Sequence, residues 1–235
     1  MKAIRLSRKI HKWFALVLGV QLFLWALSGF YMVAVHIDII HGDMLIENVQ
    51  QSVMTPGTVL VPFEQVANAH PDASSITLKT MMSRPVYRIE GAEVRIVDAN
   101  TGELLSPLNE QLATEVATFH YAGDSGIQGV MLVENDPPTE LQGRPLPIWR
   151  VDFDDVWNSS FYIEPSSGEF TIRRHTLWRV FDFLWMLHIM DYDEREDINN
   201  TVLRVVSVLG TLMGLSGVWL LFYSFNNSRK RVLTQ

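Results

Sequence analysis

Two stretches of this chain carry no charge at all. Residues 13–35 and residues 205–225 run for 23 and 21 positions without an Asp, Glu, Lys or Arg. About 20 helical residues, rising 1.5 Å each, cross a hydrocarbon core of roughly 30 Å. In lipid the backbone has no water to bond, so each run reads as a membrane-spanning helix. That excludes a soluble cytosolic enzyme. A basic stretch precedes the first run and small residues follow near Ala26 to Gly29, which is also the layout of a signal peptide. The run exceeds the 7 to 15 apolar residues of a signal core, so it reads as a retained anchor.

Charge is segregated around these runs. Lys2, Arg5, Arg8, Lys9 and Lys12 precede the first with no acid among them, and Arg229, Lys230 and Arg231 follow the second. Between His41 and Asp197 stand 25 acidic and 10 basic residues, a local net charge of −15 in a chain whose total is −7. Basic flanks stay on the cytoplasmic side during insertion, which puts both termini inside and the long middle outside. The expected segments are a basic N-terminus (1–12), a first transmembrane helix (13–40), two external modules (41–108 and 109–176), an interfacial helix with an acidic connector (177–198), a second transmembrane helix (199–226) and a short tail (227–235).

The external part contains a weak repeat. A helix-like segment at Pro62 leads through the alternating Val86-Tyr-Arg-Ile-Glu to Asp98-Ala-Asn-Thr-Gly-Glu. A second helix at Asn109 leads through Ile148-Trp-Arg-Val-Asp-Phe to Glu164-Pro-Ser-Ser-Gly-Glu. Period-2 alternation predicts strands, and Gly102 and Gly168 mark turns that need positive φ. Residues 123–147, rich in Gly, Pro, Asp and Asn, read as a loop. The fold class is an α+β membrane protein, with two spans flanking two helix-plus-antiparallel-sheet modules.

Four short motifs, in this order, carry a family resemblance: Arg8-Lys-Ile-His11-Lys-Trp-Phe, Leu27-Ser-Gly-Phe-Tyr, the strand with Asp98-Ala-Asn-Thr-Gly-Glu, and Trp185-Met-Leu-His188. The chain resembles the PepSY-associated transmembrane proteins over nearly its whole length, as a small two-span member. The resemblance implies PepSY-like modules in the periplasm of a bacterial inner-membrane protein. It also implies haem b bound without covalent attachment between helices, and electrons crossing the membrane to reduce ferric iron or a ferric chelate in support of ferrous iron uptake. Relatives with four or more spans imply a homodimer here. The absence of cysteine excludes disulfides, thiolate zinc, iron–sulfur clusters and C-x-x-C-H haem attachment.

Histidines at the membrane boundaries are the ligand candidates, in the order His41, His188, His11, His36. An imidazole near hydrocarbon needs a partner for each ring nitrogen. On one continuous helix, His11 and His41 would lie about 45 Å apart and belong to different layers. His36 and His41, five residues apart, would point about 140° apart, so one is a bystander. His41 is preferred because Gly42 can end the helix beside it. His188, late in an apolar stretch too short to span, is expected at the same outer depth, and two imidazoles on one iron would favour electron transfer. Trp178, Phe181, Phe183, Trp185 and Phe30 are candidate walls. Gly210 and Gly214 form a G-x-x-x-G suited to helix pairing.

Asp191, Asp193 and Glu194 are candidate iron-capturing carboxylates, though such a run also serves as a solvated surface. No phosphate-binding or dinucleotide motif occurs, so membrane quinol or a partner reductase is the expected electron donor, and nucleic acid is not an expected partner. Two rival readings remain. One is a membrane-anchored binding or regulatory module that captures a peptide along a strand edge. The other is a periplasmic metal-delivery protein.

Overall fold

A computed structural model describes residues 2–47 and 58–232, with the side chains of residues 2–5, 7 and 224–232 excepted. Of the sequence expectations, residues 48–57 of the first module and the basic side chains Lys2, Arg5, Arg229, Lys230 and Arg231 lie outside that description. The fold is α+β, with two helices long and apolar enough to cross a membrane and two small antiparallel sheets. The chain forms two compact units, Met1–His36 with Val180–Gln235, and Ile37–Arg179.

The first unit contains α1 (Lys2–Ala34) and α6 (Thr201–Val232), and most of α5 (Thr176–Ile189). α1 and α6 run antiparallel, as the approach of Gly217 to His11 and of Gly210 to Leu22 requires. Their outer faces are bare Val17, Val20, Phe23, Val208, Leu212 and Val218. An apolar surface of this kind suits lipid rather than water. Asn200 starts α6: its Oδ1 accepts from the Leu203 amide at 2.8 Å, and its Nδ2 donates to the Ile189 carbonyl at 2.8 Å, tying the helix start to the end of α5.

The first span is not one helix through residue 40. α1 ends at Ala34, and a separate short helix, α2 (Ile37–His41), begins the second unit. The angular argument separating His36 from His41 therefore does not apply, because the regular helical twist is interrupted between them. Gly42 ends α2 at φ +72°, as its position suggested.

The second unit holds both sheets. α3 (Phe63–Ala69) packs against β1 (Ser75–Met81), β2 (Arg84–Glu90) and β3 (Arg95–Asp98) around Val66, Tyr87, Ile89 and Val97. α4 (Glu110–His120) packs against β4 (Ile127–Val133), β5 (Ile148–Phe153), β6 (Ser160–Ile163) and β7 (Phe170–Arg174) around Val116, Val151, Phe153 and Phe161. Each sheet is an antiparallel meander. The expected loop over residues 123–147 is corrected here, since it contains β4 as the edge strand of the second sheet. Gly126 and Gly129, with a register shift between Ile127 and Gly129, break the alternation that would have revealed it.

The repeat is visible in atomic detail at its two turns. The Gly102 amide donates to the Asp98 carbonyl at 2.8 Å and the Asp98 amide to Glu103 at 2.9 Å; Gly168 donates to Glu164 at 2.9 Å and Glu164 to Glu169 at 3.0 Å. Both glycines have the positive φ expected, +79° and +67°.

His175 joins the two ends of this unit. Fully buried, it places Nε2 3.1 Å from the Ile40 carbonyl, while Arg173 Nε donates to the Gly42 carbonyl at 2.9 Å. A Cβ on Gly42 would lie 2.9 Å from the His175 ring, so this glycine is needed for space as well as for φ. Nδ1 of His175 is buried without a partner. Burial lowers the imidazole pKa below its ordinary 6.5, so the unfolded chain takes up a proton that the folded chain refuses, and stability falls as pH drops from about 6.5. Thermal melting of the full chain from pH 8 to pH 5 is expected to show that fall, and His175→Gln to lessen its slope. An unchanged slope in the variant would remove His175 as its source.

Candidate functional site

The first unit brings two predicted histidines into helix contacts. On α1, His11 reaches α6: its Nδ1 lies 2.7 Å from Ser216 Oγ, and a Cβ on Gly217 would sit 3.3 Å from its Cε1. On α5, His188 reaches α1: its Nδ1 lies 2.9 Å from Ser28 Oγ, and a Cβ on Gly29 would sit 3.3 Å from its Cε1. The two seats share one construction, a serine on a ring nitrogen and the following glycine under the ring edge. Seventeen residues of unbroken α1 separate His11 from Ser28, so the seats are about 25 Å apart along the helix.

The seats are built into the helices. Ser28 is fully buried and also bonds the Trp25 carbonyl at 2.9 Å; Ser216 bonds the Met213 carbonyl at 2.7 Å. Serine can return its hydroxyl to the preceding turn without breaking a helix. Around His188 the rings lie nearly parallel. Trp25 is stacked 4.8 Å away at 16°, Trp185 is 6.4 Å away at 14°, and Phe181 follows Trp185 at 6.1 Å and 15°. Trp185 Nε1 donates to the Arg195 carbonyl at 3.1 Å, which fixes the indole.

The other candidates take different places. His36, at the end of the first unit, and His41, at the end of α2 in the second, are exposed. Of the expected walls, Phe181 and Trp185 join the stack. Phe183 and Phe30 are exposed, and Trp178 lies in the second unit beneath the Arg174 guanidinium, 3.6 Å from the ring centre. Trp25 and Ser216 were missed by sequence reasoning. The Ser-Gly dipeptide, once in each span, is the signal that points to the seats.

Asp191 folds its carboxylate back on its own loop, accepting from the amides of Glu196 at 3.0 Å, Asp197 at 2.9 Å and Asp193 at 3.3 Å. The Asp197 amide foremost holds the Asp191 carboxyl below the usual carboxylate range. Asp193 and Glu194 are exposed. These amide bonds give Asp191 a loop-forming role; among the described residues, no three His, Asp or Glu side chains converge as a metal site.

Gly210 and Gly214 stand apart from these contacts. A Cβ on Gly210 would meet only Leu22, at 3.9 Å, and one on Gly214 would meet nothing within 4 Å among the described residues. Gly29→Ala and Gly217→Ala are therefore expected to press on an imidazole and cost about 1–3 kcal/mol. Gly210→Ala and Gly214→Ala should leave the protomer's own fold within about 0.5 kcal/mol of wild type. Melting of the full chain in detergent distinguishes them, and equal losses at all four sites would contradict this assignment. No family model, curated protein or solved structure matches this chain.

Proposed function

We propose that the chain is a bacterial inner-membrane haem b protein that passes electrons outward, reducing periplasmic ferric iron or a ferric chelate in support of ferrous iron uptake. The observation that carries the reading is the pair of seated histidines, one toward each end of α1, each directed into a helix contact. A histidine that binds a metal is ordinarily oriented through its other ring nitrogen. In both seats Nδ1 meets a serine, and Nε2 has no hydrogen-bond partner among the described residues. That donor set suits iron held by imidazole.

His188 and His11 are the proposed haem ligands, with His41 and His36 as further outer candidates. Bound there, haem b would supply one-electron transfer. The residues of the chain orient and shield: Ser28 and Ser216 hold the rings, Trp25 and Trp185 cover the His188 face, and the apolar helix surfaces exclude water. Each layer has one seated imidazole per chain, so a homodimer would provide two per layer, a ligand set that would favour electron transfer over oxygen chemistry. Membrane quinol or a partner reductase would supply the electrons. The modules between the spans are PepSY-like in this reading and periplasmic.

Absorbance of the full-length protein from haem-replete cells, oxidised and then dithionite-reduced, tests the proposal. A Soret band that shifts on reduction is expected. His188→Ala and His11→Ala should each lower the haem-to-polypeptide ratio and reduce ferric reduction about tenfold or more, with the protein still inserted. A colourless wild-type preparation, or full colour in both variants, would overturn it.

A further inference from the structure

We propose that Ser28 and Ser216 are positioning residues that set the proton of His188 and of His11 on Nδ1, leaving the Nε2 lone pair as the open, ligand-binding edge of each ring. The identity of the ligand rests on the haem reading above; the proton position does not.

A serine hydroxyl has one proton and a backbone carbonyl has none. Ser28 Oγ lies 2.9 Å from the Trp25 carbonyl oxygen and 2.9 Å from His188 Nδ1. Ser216 Oγ lies 2.7 Å from the Met213 carbonyl oxygen and 2.7 Å from His11 Nδ1. Two oxygens at such a distance with no proton between them repel, so the hydroxyl proton points to the carbonyl. Oγ then has only lone pairs to offer the ring, and Nδ1–H must be the donor. In a neutral imidazole with one proton, this leaves Nε2 bare.

Glycine completes the grip. Gly29 and Gly217 lie under Cε1, the carbon between the two nitrogens, with a hypothetical Cβ at 3.3 Å in both seats. Each ring is thus bonded at Nδ1 and closed on at Cε1, with Nε2 left without a hydrogen-bond partner among the described residues; in the His11 seat Nε2 lies 3.9 Å from that Cβ position. A bare acceptor set against apolar helix surfaces favours a ligand that can pair with it, and two alike, about 25 Å apart along α1, suit a Lewis acid that brings its own apolar surface, the iron of a porphyrin. The Nδ1–H···Oγ bond also raises the basicity of Nε2. That favours ferric over ferrous iron and lowers the potential at each end.

The test uses the full chain, labelled with ¹⁵N-histidine, without and with haem. The resonances of His11 and His188 are assigned by His11→Ala and His188→Ala. In the haem-free wild type, both should show a protonated Nδ1 and an unprotonated Nε2. Ser28→Ala and Ser216→Ala should lose that fixed pattern, weaken haem retention about tenfold and raise the midpoint potential, where a tenfold change in ferric preference corresponds to 59 mV for one electron. Ser216→Thr, which keeps the hydroxyl, should restore the wild-type pattern for His11. Protonated Nε2 in the haem-free wild type overturns the proposal without relying on any variant. So do serine variants that bind haem with unchanged proton position and potential. A wild type that shows the Nδ1–H pattern yet takes up no haem supports the seats and overturns the haem reading alone.

Discussion

An imidazole cannot sit idle in hydrocarbon, and the architecture of the first unit follows from that constraint. A ring nitrogen set among apolar helix surfaces calls for a partner from a neighbouring helix, and in both seats Nδ1 finds one while Nε2 has none among the described residues. A serine supplies it at the least disturbance, because its hydroxyl reaches both its own preceding turn and the ring. The adjacent glycine lets the ring come close enough to be reached. The position of His188 in turn depends on where α5 ends, and two side chains fix that end. Asn200 ties the Ile189 carbonyl to the start of α6, and Asp191 gathers three amides of the connecting loop. The acidic connector is thereby part of what holds the histidine.

The second unit is organised around a different buried imidazole. His175 and Arg173, at the end of β7, bond Ile40 and Gly42, at the end of α2, so the segments through which the chain enters and leaves this unit are fastened together. Nearby, Glu140 is buried. That burial pushes its carboxyl pKa up, but Arg179 at 2.6 Å and the Tyr162 hydroxyl at 2.5 Å bring it below the ordinary carboxylate value. The α5 start is thus anchored to the β4–β5 connection by a charge pair that stays ionised at neutral pH. Two copies of one helix-and-meander plan, sharing even their turn hydrogen bonds, build the rest.

What could be read from the sequence followed physical regularity. The charge-free runs, the two glycine turns and the approximate bounds of α5 were legible because apolar length and positive φ are constraints that few residues satisfy. The β1–β2 hairpin turn was not, because Met82 and Ser83 both take positive φ, at 49° and 62°, in place of the Asn-Gly expected of such a turn. β4 was hidden by its glycines, and β1 by being largely exposed, so that neither shows clear alternation. The break after Ala34 has no Gly or Pro to announce it. At the site, His11 and His188 were legible as residues, and Ser28 with Gly29 stood inside the Leu27-Ser-Gly-Phe-Tyr motif. Ser216 was not, since a serine in an apolar helix reads as a small filler until its distance to a histidine 205 positions away is known.

The strong negative charge of the middle segment reads differently once its bonds are known. Asp98 turns its carboxylate on the amides of Asn100 and Thr101, Asp155 on Ser159, Asp191 on its loop, and Glu140, Asp152 and Asp182 pair with Arg179, Arg150 and Arg195. A carboxylate already accepting from amides or guanidinium has fewer lone pairs to give a cation, and a metal would have to displace those donors first. At these six positions the acidic composition is turn and ion-pair chemistry. In the first unit, His11 and His188 are the imidazoles that keep a ring nitrogen, Nε2, without a hydrogen-bond partner among the described residues.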